Sequence, residues 1–303
     1  MQGLFKPKSF PTLGLDFCGE VVRAGAGTDV PVGTRVFGNS DTFGCFAQYA
    51  TVGADRVAAK PRGLTDDEAA AIPDAACVAL QALRDEGKLS PGARVLIVGA
   101  SGGIGTFALQ IARILGAGHV TGICSTRNVA LVKSLGADRV IDYKKDNTWP
   151  DERFDVILDC QRDGNKALSY AKKHLVANTG RYVAVAGPVM RLIWVSMAGG
   201  KQCSQMLVNP DVEKLETLSR MVEKDGLRPV MDDDFRRTHH AMGKTGLDLV
   251  APALQYVGER RARGKVVISL RPAKDVQAEE DERRSATWSG DSSSSVSDET
   301  SSS

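Results

Sequence analysis

The sequence predicts an α/β fold in which a parallel β-sheet is doubly wound, with helices on both of its faces. Two observations carry this prediction: a glycine turn joins an apolar run to an amphipathic helical pattern near residue 100, and short apolar runs then alternate with helical patterns. A third observation concerns residues 12–60, where short β-like runs are separated by Gly, Pro and Asp turns. This segment predicts a second, smaller β-rich domain.

The glycine turn follows the apolar run 95–98 and reads Gly-Ala-Ser-Gly-Gly-Ile-Gly at 99–105. Apolar residues four positions apart predict a helix from Thr106 to Leu115. Free N–H groups and the positive dipole end at the start of a helix suit a pyrophosphate, so a dinucleotide site is predicted, with an ordinary glycine-rich turn as the alternative. The predicted pyrophosphate ligands are Ser101, Gly102, Gly103, Ile104 and Gly105.

The glycines of this turn have distinct predicted roles. Gly102 lets the backbone approach phosphates without an intervening Cβ, and Gly105 lets the helix pack closely on the strand. Elements predicted after the turn alternate as a doubly wound sheet requires. They are a strand at His119–Cys124, a helix at Asn128–Leu135, and strands at Arg139–Tyr143, Phe154–Cys160 and Gly180–Gly187.

The residues after the second strand bear on the choice of dinucleotide. NAD-binding proteins usually carry an Asp or Glu about 20 residues past the glycine turn, where it binds the adenosine ribose. This chain has Ser125, Thr126 and Arg127 there instead. Two hydroxyls and a guanidinium suit a 2′-phosphate, so NADPH is predicted over NADH. The alternative is that the hydroxyls cap the next helix and Arg127 is solvated.

Composition excludes several classes of protein. The chain has 303 residues, 42% of them hydrophobic, and a net charge of +2, so it can bury a substantial core and has no basic stripe for nucleic acid. No apolar run is long enough for a membrane span, and a cytoplasmic setting is expected, with a mitochondrial one left open if an upstream segment exists. Six scattered cysteines predict neither a disulfide framework nor a metal site. The Ser-rich and acidic segment 272–303 predicts disorder.

Taken together, the order of several short stretches resembles the zinc-free quinone oxidoreductase and enoyl reductase branch of the medium-chain dehydrogenase/reductase superfamily. The resemblance implies a Rossmann domain inserted in a GroES-like β-rich domain that is incomplete at its N-terminus. It implies domains at 1–75 with 228–271 and at 76–227. The residues themselves predict β runs at 20–23, 35–38, 46–52 and 264–270. The matching stretches are Leu13–Val22, Val32–Gly38, Gly44–Tyr49, Leu135–Asp138 and Gly264–Val267.

The same resemblance implies NADPH-dependent hydride transfer to a quinone or an α,β-unsaturated carbonyl, with a homodimer as an open question. Zinc members of the superfamily have Gly-His-Glu where this chain has Gly-Leu-Asp at 14–16, so no metal site is expected. Without a Lewis acid, reduction of a conjugated acceptor is favoured over alcohol–ketone exchange. Further cofactor contacts implied by relatives are Lys133 and Tyr143 near the adenosine phosphate, Gly187 near the nicotinamide, and Lys265 near the cofactor edge.

The catalytic residues stay unassigned. Enoyl reductases of this branch have a tyrosine that follows Gln-Gly, and this chain has Phe5 in a comparable place. Two classes of function therefore remain: an NADPH-dependent reductase of a small molecule, and a non-catalytic NADPH-binding or truncated family member. Short-chain dehydrogenases share the glycine motif but need Tyr-x-x-x-Lys, whereas Tyr170 is followed at that offset by His174.

Overall fold

Two β-sheets organise the described part of the chain. The computed structural model describes residues 12–146, 148–161, 165–186, 203–205, 210–235, 238 and 246–270. The smaller sheet is antiparallel, and its strands lie in chain order. They are β1 (Asp16–Glu20), β2 (Arg35–Asn39) and β3 (Val57–Ala59).

The larger sheet is parallel throughout its six described strands. The strand order is β6-β5-β4-β7-β8-β9, so the direction of winding reverses between β4 and β7. A ligand crevice opens at the carboxyl ends of the strands at such a reversal. The strands are β4 (Arg94–Val98), β5 (His119–Cys124), β6 (Arg139–Asp142), β7 (Val156–Asp159), β8 (Arg181–Ala184) and β9 (Cys203–Gln205).

Helices cover both faces of the parallel sheet. In β4, Val95 and Ile97 belong to one buried apolar cluster, while Leu96 and Val98 belong to another on the opposite face. A strand that is apolar on both faces is typical of a doubly wound sheet, and the predicted fold class is confirmed. The helices are α1 (Asp66–Ala70), α2 (Pro73–Leu80), α3 (Gly103–Ile114), α4 (Val129–Ser134), α5 (Asn165–His174), α6 (Val212–Lys224) and α7 (Val250–Gly258).

Several predicted boundaries differ from the structure. Strand β5 has the predicted bounds, whereas α3 begins three residues early because the glycine turn already continues into the helix. The predicted run 46–52 is wrong as a strand: Phe46 donates one backbone hydrogen bond to Leu13, and no ladder continues from it. A strand needs a partner along its length, and residues 46–52 have none among the described residues.

The predicted C-terminal strand is also largely wrong. Gly264 pairs with Gly102 and Lys265 pairs with Met231 as isolated bridges, while 266–270 join no described strand. The first predicted β run, 20–23, is displaced, because β1 ends at Glu20. None of the described helices has the length and apolarity of a membrane span. Phe5, Gly187 and the segment 272–303 lie outside the described residues.

Contacts join the small sheet region to the parallel-sheet layer. Arg56 Nη1 donates to the carbonyl of Pro210 at 2.8 Å, and the backbone N–H of Arg62 donates to Glu223 Oε1 in α6 at 2.9 Å. The boundaries proposed for the two domains, near residues 75 and 228, stay predictions.

Candidate cofactor site and adjoining cleft

The glycine turn lies at the carboxyl end of β4 and leads directly into α3. The first bond of the helix runs from Thr106 N to Gly102 O at 2.9 Å. The N–H groups of Gly103, Ile104 and Gly105 precede this bond, so the helical ladder does not use them. The turn therefore offers three consecutive backbone donors and the positive end of a helix dipole.

Gly102 and Gly105 meet different surroundings. A Cβ on Gly105 would lie 2.3 Å from Gly99 O and 2.7 Å from Ala100 Cα, both backbone atoms, so the close packing of helix on strand requires glycine there. A Cβ on Gly102 would meet only Gly99 O, at 3.5 Å, an ordinary contact. The protein itself therefore leaves space above Gly102, and that space fits a phosphate group.

Ser125, Thr126 and Arg127, which are predicted to bind the adenosine end of the dinucleotide, directly follow β5 and are called the lip below. A short 3₁₀ turn spans Thr126–Asn128. Ser125 is half-buried, Thr126 and Arg127 are exposed, and the guanidinium of Arg127 donates to the carbonyl of Arg261. Arg127 thus reaches the segment that precedes Lys265 rather than extending freely into solvent.

Tyr143 and Lys133 lie near the same edge of the sheet. Tyr143 N donates to Cys124 O at 3.1 Å, which places this residue beside the end of β5. Its side chain is 39% exposed, and the Lys144 ammonium lies 5.5 Å from its ring centroid. Lys133 is exposed on α4, and no described contact ties it to the lip. Tyr143 is therefore held beside the lip by the backbone, and Lys133 is not.

Asn128 connects the lip to the glycine turn. Its Nδ2 donates to Ser101 Oγ at 2.9 Å and to Ser125 Oγ at 3.3 Å, and the side chain is 4% exposed. Two hydroxyls predicted separately to bind phosphates are thus held by one buried amide. The sequence predicted only that a helix begins at Asn128.

Lys265 brings the small sheet into contact with the glycine turn. Its Nζ lies 3.1 Å from Asp16 Oδ2, and Gly264 N donates to Ser101 O at 3.0 Å. A Cβ on Gly103 would lie 3.1 Å from Lys265 Cδ. The ammonium therefore sits between the glycine turn and β1.

Asp16 anchors a small polar cluster that sequence analysis did not identify. Its Oδ1 accepts from Asn39 Nδ2 at 2.7 Å and from the backbone N–H of Asp74 at 3.0 Å. Burial, followed by the charge of Asp16, raises the pKa of the Asp74 carboxyl, and Lys265 opposes the shift. The cluster thus places an ammonium near a carboxyl whose pKa is raised above its ordinary value. Their proximity depends on contacts far apart in the sequence, so no local pattern could have revealed it.

A cleft of about 1550 Å³ adjoins this cluster. It lies between β1 and α7, and apolar side chains form much of its wall. Burial raises the pKa of the Cys45 thiol in this wall to about 11, so the thiol is largely protonated at neutral pH. The lining includes Asp16, Phe43, Cys45, Asp74, Leu254 and Lys265.

The described residues contain no group of three or more His, Cys, Asp or Glu side chains arranged to hold a metal ion. Asp16, which stands where zinc members carry a ligand motif, is instead paired with Lys265.

Comparisons with known proteins agree with the fold. Residues 1–62 match the family described as alcohol dehydrogenase GroES-like domain, and residues 135–268 match the family described as zinc-binding dehydrogenase. The chain is 34% identical over 273 residues to a 2-methylene-furan-3-one reductase of Solanum lycopersicum, covering 85% of this chain and 63% of that protein. It thus spans somewhat less than two thirds of the tomato protein.

Two further matches cover more of the related chain. A trans-enoyl reductase of Aspergillus terreus is 31% identical over 294 residues, which is 88% of this chain and 80% of that protein. The solved quinone oxidoreductase of Coxiella burnetii superposes with a TM-score of 0.73 at 28% identity, over 87% of this chain and 81% of that one.

The fold and the glycine turn thus define a protein with a Rossmann domain and a GroES-like domain. The chain belongs to the medium-chain dehydrogenase/reductase superfamily, among its quinone oxidoreductase and enoyl reductase relatives.

Proposed function

We propose that this protein transfers hydride from NADPH to a quinone or an α,β-unsaturated carbonyl, without zinc. One observation carries the proposal: the open glycine turn and the acid-free hydroxyl lip lie side by side, joined through Asn128, at the carboxyl ends of β4 and β5. The relatives support the acceptor class, since their names specify a methylene-furanone and an enoyl group. Both are alkenes conjugated to a carbonyl.

The residues present fit a phosphorylated dinucleotide. The three N–H groups of residues 103–105 and the Ser101 hydroxyl suit the pyrophosphate, and Gly102 leaves space for it. A 2′-phosphate accepts hydrogen bonds and carries negative charge, which suits a lip of hydroxyls and a guanidinium. The residues proposed for the adenosine end are Ser125, Thr126, Arg127, Lys133 and Tyr143, with Gly187 and Lys265 proposed nearer the nicotinamide.

NADPH, when bound, supplies the hydride. The residues around the cleft stabilise the negative charge that develops on the acceptor. Hydride addition to the β-carbon of an enone places negative charge on the carbonyl oxygen, and a proton then completes the saturated ketone. The Lys265 ammonium is available to stabilise that oxygen, and Asp74 is available to hold the proton. Apolar side chains form much of the cleft wall beside them, and a less polar surrounding strengthens both interactions.

A conjugated acceptor needs less activation than a simple ketone, because conjugation already spreads the incoming charge onto oxygen. This supports a reaction without a Lewis acid, as does the pairing of Asp16 with Lys265. A homodimer is proposed as well, because β6 and β9 are the edge strands among the described strands of the parallel sheet, and edge strands offer backbone groups for pairing. Sedimentation of the full chain tests the dimer directly.

The function is tested by following NADPH oxidation with a panel of quinones and enones, in the presence of a chelator. Turnover that survives chelation supports the proposal. Turnover that stops on chelation and returns with added zinc contradicts zinc independence. Tight NADPH binding without any turnover would instead identify a non-catalytic binder. Dissociation constants for NADPH and NADH decide the cofactor, and equal or tighter NADH binding contradicts the assignment.

A further inference from the structure

The Asn128 side chain is a buried polar group with an incomplete set of partners. Its Nδ2 donates to Ser101 Oγ and Ser125 Oγ, but among the described residues its Oδ1 accepts from no donor. The side chain is 4% exposed, so water cannot easily satisfy the oxygen. An unpaired buried acceptor destabilises a fold, and in Asn128 it belongs to the same amide that contacts the two hydroxyls predicted to bind phosphate.

The direction of the two hydrogen bonds determines what the hydroxyls have left to offer. A serine hydroxyl has one donor hydrogen and two acceptor lone pairs. Because both oxygens accept from the amide, neither hydrogen is used in that contact. Ser101 and Ser125 each keep a hydrogen to donate elsewhere.

Rotating the amide by half a turn would reverse this arrangement. Oδ1 would then accept from both hydroxyls and consume their hydrogens, and the two N–H bonds of Nδ2 would take the unpaired position. Two buried donors without partners are less favourable than one acceptor without a partner. The hydrogen-bond balance therefore favours the orientation in which the hydroxyls are donors.

We propose that Asn128 is a positioning residue that contributes to a preference for the 2′-phosphate, by holding the Ser125 hydroxyl as a donor toward the oxygens of that phosphate, while it holds the Ser101 hydroxyl as a donor toward the pyrophosphate that both dinucleotides share. This inference rests on the proposed NADPH function. A phosphate only accepts hydrogen bonds, so it needs donors around it. The ribose 2′-hydroxyl of NADH both donates and accepts, so it gains less from hydroxyls held in one direction.

Two substitutions separate this role from a general effect on folding. Asn128→Ala removes the amide, and we expect NADPH affinity to fall about tenfold while NADH affinity changes less than about threefold. Asn128→Asp supplies a carboxylate that accepts from both hydroxyls and turns their hydrogens inward. For this variant we expect a larger loss for NADPH, about a hundredfold, and again a smaller one for NADH. Calorimetric titration measures both constants without relying on turnover.

A background without the two hydroxyls tests whether Asn128 acts through them. With Ser101→Ala and Ser125→Ala in place, adding Asn128→Ala should cause no further loss of NADPH affinity. Thr121→Val is the matched control, because Thr121 Oγ1 is also buried and has no partner among the described residues, but lies within β5, away from the lip. It should leave both affinities unchanged.

The outcomes distinguish this inference from the function on which it rests. Wild-type protein that binds neither dinucleotide overturns the proposed function and this inference with it. Wild-type protein that prefers NADPH, together with Asn128 variants that lose NADPH and NADH affinity by the same factor, overturns this inference alone. A full additional loss from Asn128→Ala in the double-alanine background also overturns it. Urea unfolding of each variant shows that the fold persists under the conditions of titration.

Discussion

Lys265 Nζ and Asp16 Oδ2 lie 3.1 Å apart although the two residues are 249 positions apart in the chain. Their side chains are 21% and 16% exposed, so the pair is shielded from solvent but not fully buried. Asp16 also accepts from Asn39 and from the N–H of Asp74. The contact joins the small sheet, the start of α2 and the segment beside the glycine turn at one point.

Asp16→Asn should lower the free energy of unfolding by about 1–2 kcal/mol. Asparagine keeps an oxygen for the Asn39 and Asp74 donors, so the change removes the charge and leaves the Lys265 ammonium unpaired. Urea unfolding measures the effect. Glu20→Gln is the control, because its 3.7 Å pair with Arg35 is about half exposed and should contribute under ~1 kcal/mol. Equal effects of the two substitutions would contradict the prediction.

Gly105→Ala should destabilise the protein by about 1–3 kcal/mol, because the new Cβ would lie 2.3 Å from Gly99 O and force α3 away from β4. Thermal or urea unfolding measures the loss. Gly25→Ala is the matched control, since a Cβ there has no neighbour within 4 Å among the described residues. A stable Gly105→Ala variant would mean that the helix packs less closely than the structure shows.

Gly102→Ala should leave stability nearly unchanged and weaken NADPH binding by about tenfold or more. Its Cβ would make only an ordinary 3.5 Å contact with Gly99 O, so the protein accommodates it. A phosphate bound against the turn would collide with the same Cβ. Titration calorimetry and urea unfolding on the same sample separate the two effects, and unchanged NADPH affinity would argue against this turn as the phosphate site.

Acid sensitivity should depend in part on Asp138. Burial raises its pKa, but the hydrogen bond from Val120 N at 2.7 Å and the Arg113 guanidinium outweigh that effect, so the pKa lies below its ordinary value. The carboxylate therefore stabilises the fold above the unfolded-state pKa of about 3.9, and this stabilisation is lost as pH falls through the lower folded pKa.

The free energy of unfolding, measured from neutral pH down to about pH 3, should accordingly fall less for Asp138→Asn than for wild type. Asp55→Asn serves for comparison, since its carboxylate is 82% exposed. Parallel pH profiles for wild type and Asp138→Asn would contradict the prediction.

Tyr182→Phe should cost about 1–3 kcal/mol of stability. The Tyr182 hydroxyl donates to Asp159 Oδ2 at 2.7 Å, and both residues are fully buried in the adjacent strands β8 and β7. Phenylalanine would leave a buried carboxylate oxygen without this donor. Urea unfolding measures the change, and Tyr49→Phe, at a side chain 75% exposed, should have almost no effect.

Local patterns predicted most of the nucleotide-binding half of the protein. The bounds of β5 match the predicted strand, and the glycine turn lies between β4 and α3 as expected. Predictions were weaker in the β-rich part. Residues 46–52 have the composition of a strand, but composition does not supply a pairing partner.

The residues of the candidate site were likewise predicted only in part. Ser101 and Ser125 were identified from their positions after adjacent strands, whereas the amide that joins them was not. Asn128 was predicted only as the first residue of a helix, and only its packing shows that its side chain turns toward the glycine turn. Asp74, in the first turn of α2, was not identified by sequence analysis.

The sequence by itself determined the parallel sheet, the glycine turn and the absence of an acid at the lip, because periodicity and backbone requirements act over a few residues. The tertiary structure decided which distant groups meet: Lys265 with Asp16, and Arg127 with the carbonyl of Arg261. Such contacts depend on strand order and on how the two sheets pack. They follow from the geometry of the whole chain, which no local stretch of residues contains.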